Sequence, residues 1–161
     1  MEKILISACL AGDRVRYDGR LAPLDHPLIR EWKKQGRLVR FCPEMEGGLP
    51  MPRPPAEILR GPGAGGLDGK IRIKTVQGED VTRAFIKGAE LALALILRKN
   101  ISVALLKDKS PSCGSSRVYD GKFRGRLIPG MGTTSALLDR FGVRVFSETQ
   151  LEALNLFLKS G

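Results

Sequence analysis

The chain has 161 residues, 42% hydrophobic and 27% charged, with a formal net charge of +10. That is the size and balance of a single globular domain, 1–161, able to bury a core without disulfide staples. No apolar run approaches the roughly 20 residues of a membrane-spanning helix, which excludes a helical membrane protein. The N-terminus lacks the charged-then-apolar layout of a secretion signal, so a cytoplasmic location is expected. The basic excess points to an anionic partner, or simply to a basic surface. Basic residues are scattered and aromatics make up only 6%, so there is little material for a base-stacking platform and nucleic acid is a disfavoured partner.

In chain order, Lys3–Ala8 reads as a strand that delivers Cys9 into a loop. Arg16–Pro27 is turn-rich. Leu28–Gln35 reads as a short helix stopped by Gly36, and Arg37–Phe41 as a strand that delivers Cys42. Prolines 43, 50, 52, 54 and 55 then forbid regular structure. Gly61–Gly69 is a ligand-closing loop or a disordered insertion. Ile71–Val76 alternates like a half-exposed strand. Asp80 caps a long helix whose buried stripe is Val81, Ala84, Phe85, Gly88, Ala92, Leu95 and Ile96. Asn100 closes it. Ile101–Leu106 has the continuous apolar pattern of a central strand. After a further turn-rich span come a helix over Thr133–Phe141, a strand over Val143–Phe146, and a capping box, Ser147 to Gln150, opening the last helix.

Alternating strands and helices predict an α/β domain: an open, mainly parallel, Rossmann-like sheet with helices on both faces. Ligands in such sheets bind beyond the carboxyl ends of the strands. Each cysteine follows a predicted strand, so Cys9, Cys42 and Cys113 should share one edge. An odd cysteine count without a secretion signal argues against a disulfide framework. Three thiolates make a soft ligand set for zinc, copper(I) or an iron–sulfur cluster, and a three-ligand site leaves one position open. Spacing alone does not separate zinc from a cluster. His26, before a helix and beside a proline, reads as a turn residue rather than a fourth ligand.

Beside the second thiol, Glu44 is a candidate general base, with Glu46 a weaker competitor. Ser110 and Ser112 surround the third thiol with hydroxyls able to orient a substrate. Gly130-Met131-Gly132-Thr133-Thr134 could cradle an anion at a helix N-terminus, although it lacks the lysine of a P-loop.

Five segments together resemble the thiouracil desulfurase family. They are Ser7–Gly12 with Val15–Gly19; Cys42–Pro50 with Pro52–Ile58; Gly78–Thr82; Ser110–Gly114 with Tyr119–Phe123; and Gly130–Thr134. They stand in the family's order and span nearly the whole chain. The resemblance implies a 4Fe–4S cluster held by Cys9, Cys42 and Cys113 with the fourth iron free. It also implies a desulfurase that removes sulfur from thiolated pyrimidines (thiouracil, thiouridine or thio-UMP) as hydrogen sulfide, without net redox change. The open iron then polarises the thiocarbonyl as a Lewis acid and Glu44 deprotonates the attacking water. Ser112 or Ser110 positions ring or water, and Asp13 contacts the base. Arg16 and Arg53 are candidate contacts for a substrate phosphate, or partners in surface ion pairs. The competing readings are a sulfur transferase acting on nucleic acid, disfavoured by the lack of a P-loop; a redox or sensor module; and a structural zinc domain.

Overall fold

The computed structural model describes residues 1–13, 18, 24–59 and 71–160. Arg16, most of the Val15–Gly19 segment and the Gly61–Gly69 stretch lie outside the described residues.

The central strand β1 (Ile4–Ser7) leads through α1 (Pro27–Lys34) to β2 (Leu38–Phe41). The single-turn helix α2 (Pro43–Glu46) follows directly, and then β3 (Ala56–Ile58) and β4 (Ile73–Thr75) pair antiparallel. The long helix α3 (Thr82–Lys99) returns the chain to β5 (Val103–Leu106). A second antiparallel pair, β6 (Arg117–Tyr119) and β7 (Leu127–Pro129), precedes α4 (Thr133–Arg140), β8 (Arg144–Ser147) and α5 (Leu151–Ser160).

Strands β2, β1, β5 and β8 form one sheet in that order, every pair parallel. The two-residue period of a strand splits their side chains between two cores. Ile4, Ile6, Val103 and Leu105 pack with Ile29 and Trp32 of α1 and Leu151 and Leu154 of α5. Leu5, Ala104 and Leu106 pack on the other face with Ala92, Leu95 and Ile96 of α3 and Leu138 of α4. This is the doubly wound α/β arrangement that the alternation predicts. The chain leaves β1 toward β2 on one side and returns to β5 on the other. The order therefore reverses at the carboxyl ends of β1 and β5, where such folds open a binding crevice.

Three local expectations are corrected. The proline-rich stretch is not wholly irregular: Pro43 occupies the first position of α2, where a proline costs no hydrogen bond. The span after Cys113 contains the β6–β7 pair. The N-cap of α3 is Val81, not Asp80, yet the Asp80 carboxylate still accepts from the Thr82 N–H at 2.9 Å and its hydroxyl at 2.6 Å. Elsewhere Asn100 ends α3 in the left-handed region, φ 55°. Gln150 reaches back to the Ser147 N–H at 2.9 Å, which is one half of the capping box.

Candidate active site

The three thiols hang from three strand ends. Ser7 is in register with Phe41 across β1 and β2, so Cys9 and Cys42 leave the sheet side by side. Cys113 arrives on the loop after β5. All three line one cavity of about 430 Å³, together with Glu44, Arg53, Ser110, Ser112 and the aromatic side chains of Phe41 and Tyr119.

The Cys113 loop is held from behind by α4. The N–H groups of Thr133, Thr134 and Ser135 donate to the carbonyls of Pro111 and Ser112, at 2.9–3.3 Å, and the Ser135 hydroxyl donates to the Cys113 carbonyl at 2.7 Å. A Cβ at Gly132 would stand 2.6 Å from the Ser112 carbonyl, so only glycine permits this approach. This corrects the expected anion cradle at Gly130–Thr134: protein carbonyls already take the leading N–H groups of that helix. From the front, the buried Asp108 carboxylate accepts the N–H groups of Ser115, Ser116 and Arg117 and the Ser116 hydroxyl. These bonds outweigh burial and hold its carboxyl below the usual carboxylate range.

Glu44 is placed by α2. That single turn rests on the backbone of α3, with Gly47 against Ala84 and Gly88 against Pro43, where an added Cβ would lie 2.1 and 2.0 Å from a carbonyl oxygen. Each carboxylate oxygen of Glu44 has its own partner: Arg53 Nε donates to Oε1 at 3.1 Å and Ser112 Oγ to Oε2 at 2.8 Å. Ser110 Oγ accepts from the N–H groups of Ser112 and Cys113, both at 3.1 Å. Its own proton is therefore free for Ser112 Oγ, 2.9 Å away, and the hydroxyls form a directed chain from Ser110 through Ser112 to Glu44. Ser112 Oγ also lies 3.6 Å from Cys113 Sγ, but it has one proton and the carboxylate is the nearer, stronger acceptor.

Burial pushes the Cys113 thiol up to about 12, against the pull of the Ser7 and Ser112 hydroxyls; Cys9 and Cys42 add to the rise. Burial also raises Cys42, where the Met45 N–H and Arg53 oppose and Glu44 reinforces. Among the described residues no three His, Cys, Asp or Glu side chains stand as ligands of a single metal ion. The thiols instead border a shared space. A soft donor set around such a space fits a polynuclear iron–sulfur core, whose positive irons would convert raised thiols to bound thiolates.

Not every expected residue enters the site. Asp13 is paired with Arg40 at 2.9 Å and is not among the cavity-lining residues. Glu46 is exposed and is not among the cavity-lining residues. His26 caps α1, its Nδ1 accepting from the Leu28 N–H at 3.1 Å. Arg53, expected near a substrate phosphate or on the surface, has a side chain only 6% exposed and paired with Glu44. Residues that sequence reasoning missed also line the wall. Lys107 is paired with Glu148 at 2.7 Å, and Glu57 accepts from the N–H groups of Gly121 and Phe123. Lys107 and Asp108 could have been found from their position just past a central strand; the roles of Arg53 and Glu57 had no local signal.

Fold and site together define a doubly wound α/β domain with a three-thiol cavity at its switch point, in which Glu44 stands between Arg53 and Ser112. The chain belongs to the 2-thiouracil desulfurase family, whose pattern it matches over residues 4–150. It is 45% identical over 148 residues to the uncharacterized protein YbbK of Bacillus subtilis (strain 168), covering 92% of this chain and 97% of that one. A solved structure described as the [4Fe-4S]-dependent thiouracil desulfidase TudS superposes with a TM-score of 0.91 at 48% identity, over 100% of both chains.

Proposed function

We propose that this protein is a desulfidase of thiolated pyrimidines that works through a 4Fe–4S cluster held by Cys9, Cys42 and Cys113. The observation that carries the reading is the contact of Glu44 with Ser112, beside Cys113, on the wall that the other two thiols share. Family membership and the likeness to TudS support it. The reaction is a hydrolysis: thiocarbonyl plus water gives carbonyl plus hydrogen sulfide, with no electron gained or lost. The cluster, when bound, supplies a Lewis-acidic iron with affinity for soft sulfur.

The remaining work falls to the chain. Glu44, fixed at both oxygens, takes a proton from the water that attacks the ring carbon. Ser112 donates to Glu44 Oε2 and orients the carboxylate. The proton that Glu44 takes passes to the departing sulfur, which leaves as hydrogen sulfide, while Ser110, anchored by two backbone N–H groups, supports Ser112. Phe41 and Tyr119 give the cavity flat apolar walls suited to a pyrimidine ring. Base, nucleoside and nucleotide substrates all present the same thiocarbonyl to this wall.

Anaerobic cluster reconstitution followed by sulfide assays on thiouracil, thiouridine and thio-UMP tests the reading. Sulfide release from at least one of them by a brown, cluster-loaded protein is expected. A colourless zinc-bound protein, or no sulfide from any of the three, overturns it. Glu44→Gln should keep the cluster while kcat falls by about 10²–10⁴; unchanged turnover would remove Glu44 as the base. Replacing any one of the three cysteines by Ser should lose both cluster and activity.

A further inference from the structure

Arg53 has no place in the hydrolysis just described, yet it is one of the most buried cationic side chains at the site, only 6% exposed. Besides its bond to Glu44 Oε1, its Nη1 donates to the Pro50 carbonyl at 3.1 Å and meets Met45 Sδ at 3.5 Å. The guanidinium is thus fastened to α2 and to the loop that carries it, and extends one nitrogen to the carboxylate. Glu44 sits on a helix of one turn, and Ser112 alone holds only one of its two carboxylate oxygens, which leaves rotation of the carboxylate to be stopped from the other side. A buried cation also stands against the negative charge that Glu44 and a Cys42 thiolate bring to the same few ångströms.

We propose that Arg53 is a positioning residue for the desulfidase reaction: it locks the Glu44 carboxylate toward Ser112 and balances its charge beside Cys42. The inference rests on the hydrolytic reading for its kinetic consequence but not for its structural one, and the two are tested separately. A planar guanidinium donates in a fixed direction, whereas an ammonium supplies only charge. Arg53→Met should therefore lower kcat roughly a hundredfold, as for a base displaced by about 1 Å, with KM for thiouracil changed by no more than about twofold. Arg53→Lys should recover part of the loss, to roughly tenfold below the parent. The cluster's reduction potential should fall in Arg53→Met, which removes a positive charge, and stay near the parent value in Arg53→Lys.

In the Glu44→Gln background, Arg53→Met should cost little further activity, because the residue acts through Glu44. A structural role alone would give additive losses and no split between Lys and Met. Urea unfolding of the cluster-free chain gives the readout independent of turnover: the Arg53→Met and Glu44→Gln effects on stability should be non-additive. Additive stability effects, or an Arg53→Met enzyme with parental kcat, overturn the proposal. Absence of sulfide release from the parent would instead strike the function while leaving the unfolding cycle to judge Arg53.

Discussion

Replacing Gly88 by Ala sets two elementary effects against each other. Gly88 lies inside α3, where alanine favours the helix by about 1 kcal/mol over glycine. The new Cβ, however, would stand 2.0 Å from the Pro43 carbonyl oxygen and 2.6 Å from its carbon. Non-bonded contacts settle near about 3.5 Å, so one backbone must retreat by more than 1 Å. Neither neighbour is a flexible side chain that could turn aside. Overpacking costs about 1–3 kcal/mol and sometimes more. With backbone on both sides the upper end applies, and subtracting the propensity gain leaves a net loss of about 2 kcal/mol. For a chain of this size that lowers Tm by about 4–8 °C. The easier element to move is α2, which follows Cys42 and carries Glu44, so kcat should fall roughly a hundredfold as well. Urea and thermal unfolding of the cluster-free chain, followed by circular dichroism, measure the first effect; sulfide release measures the second. A Gly88→Ala protein more stable than its parent and fully active would show that propensity wins and that the seating of α2 on α3 does not set the site.

Two further outcomes follow from the titrating groups. Asp108 is held below the usual carboxylate range, so its stabilisation is present above the unfolded value of about 3.9 and is lost as pH falls through the lower folded value. Asp108→Asn should be less stable than the parent by about 1–3 kcal/mol at neutral pH, with the gap closing as acid protonates the Asp108 carboxylate; a gap constant from neutral to acid pH would refute the assignment. The Cys113 thiol, pushed up to about 12, should alkylate in the cluster-free protein at pH 8 about a thousandfold more slowly than an ordinary cysteine, since only the thiolate reacts. Peptide mapping after iodoacetamide treatment checks this, and prompt labelling of Cys113 would contradict it.

The main sheet was legible because its four strands are short apolar runs bounded by turn residues, and because a parallel strand buried on both faces needs such a run. Once the strands were placed, the common edge of Cys9, Cys42 and Cys113 followed from topology. Glu44 was legible through its nearness in sequence to Cys42. Elements without a buried apolar pattern of their own were hidden. The β6 strand offers Arg117, Val118 and Tyr119, of which Val118 alone has a buried apolar side chain, at 1% exposure. The α2 turn was concealed by Pro43, a breaker inside a helix but a good first residue. Interactions closed across loops were hidden more deeply. Arg53 meets Glu44 nine positions away through a proline-rich path, and Glu57 meets Gly121 across 64 positions; neither spacing carries a periodic trace. Asp108, flanked by two lysines, carries no periodic trace of its burial, and its carboxylate is enclosed by the N–H groups that shape the Cys113 loop.

The thiols project from three strand ends, and the hydrophobic layers that hold those ends close on both faces of the sheet. A zinc finger, by contrast, has no folded form before its metal arrives. Here the positions of the strand ends are set by two apolar layers rather than by ligation. A substitution deep in either layer, far from any sulfur, would therefore be felt at the site through the strand it displaces.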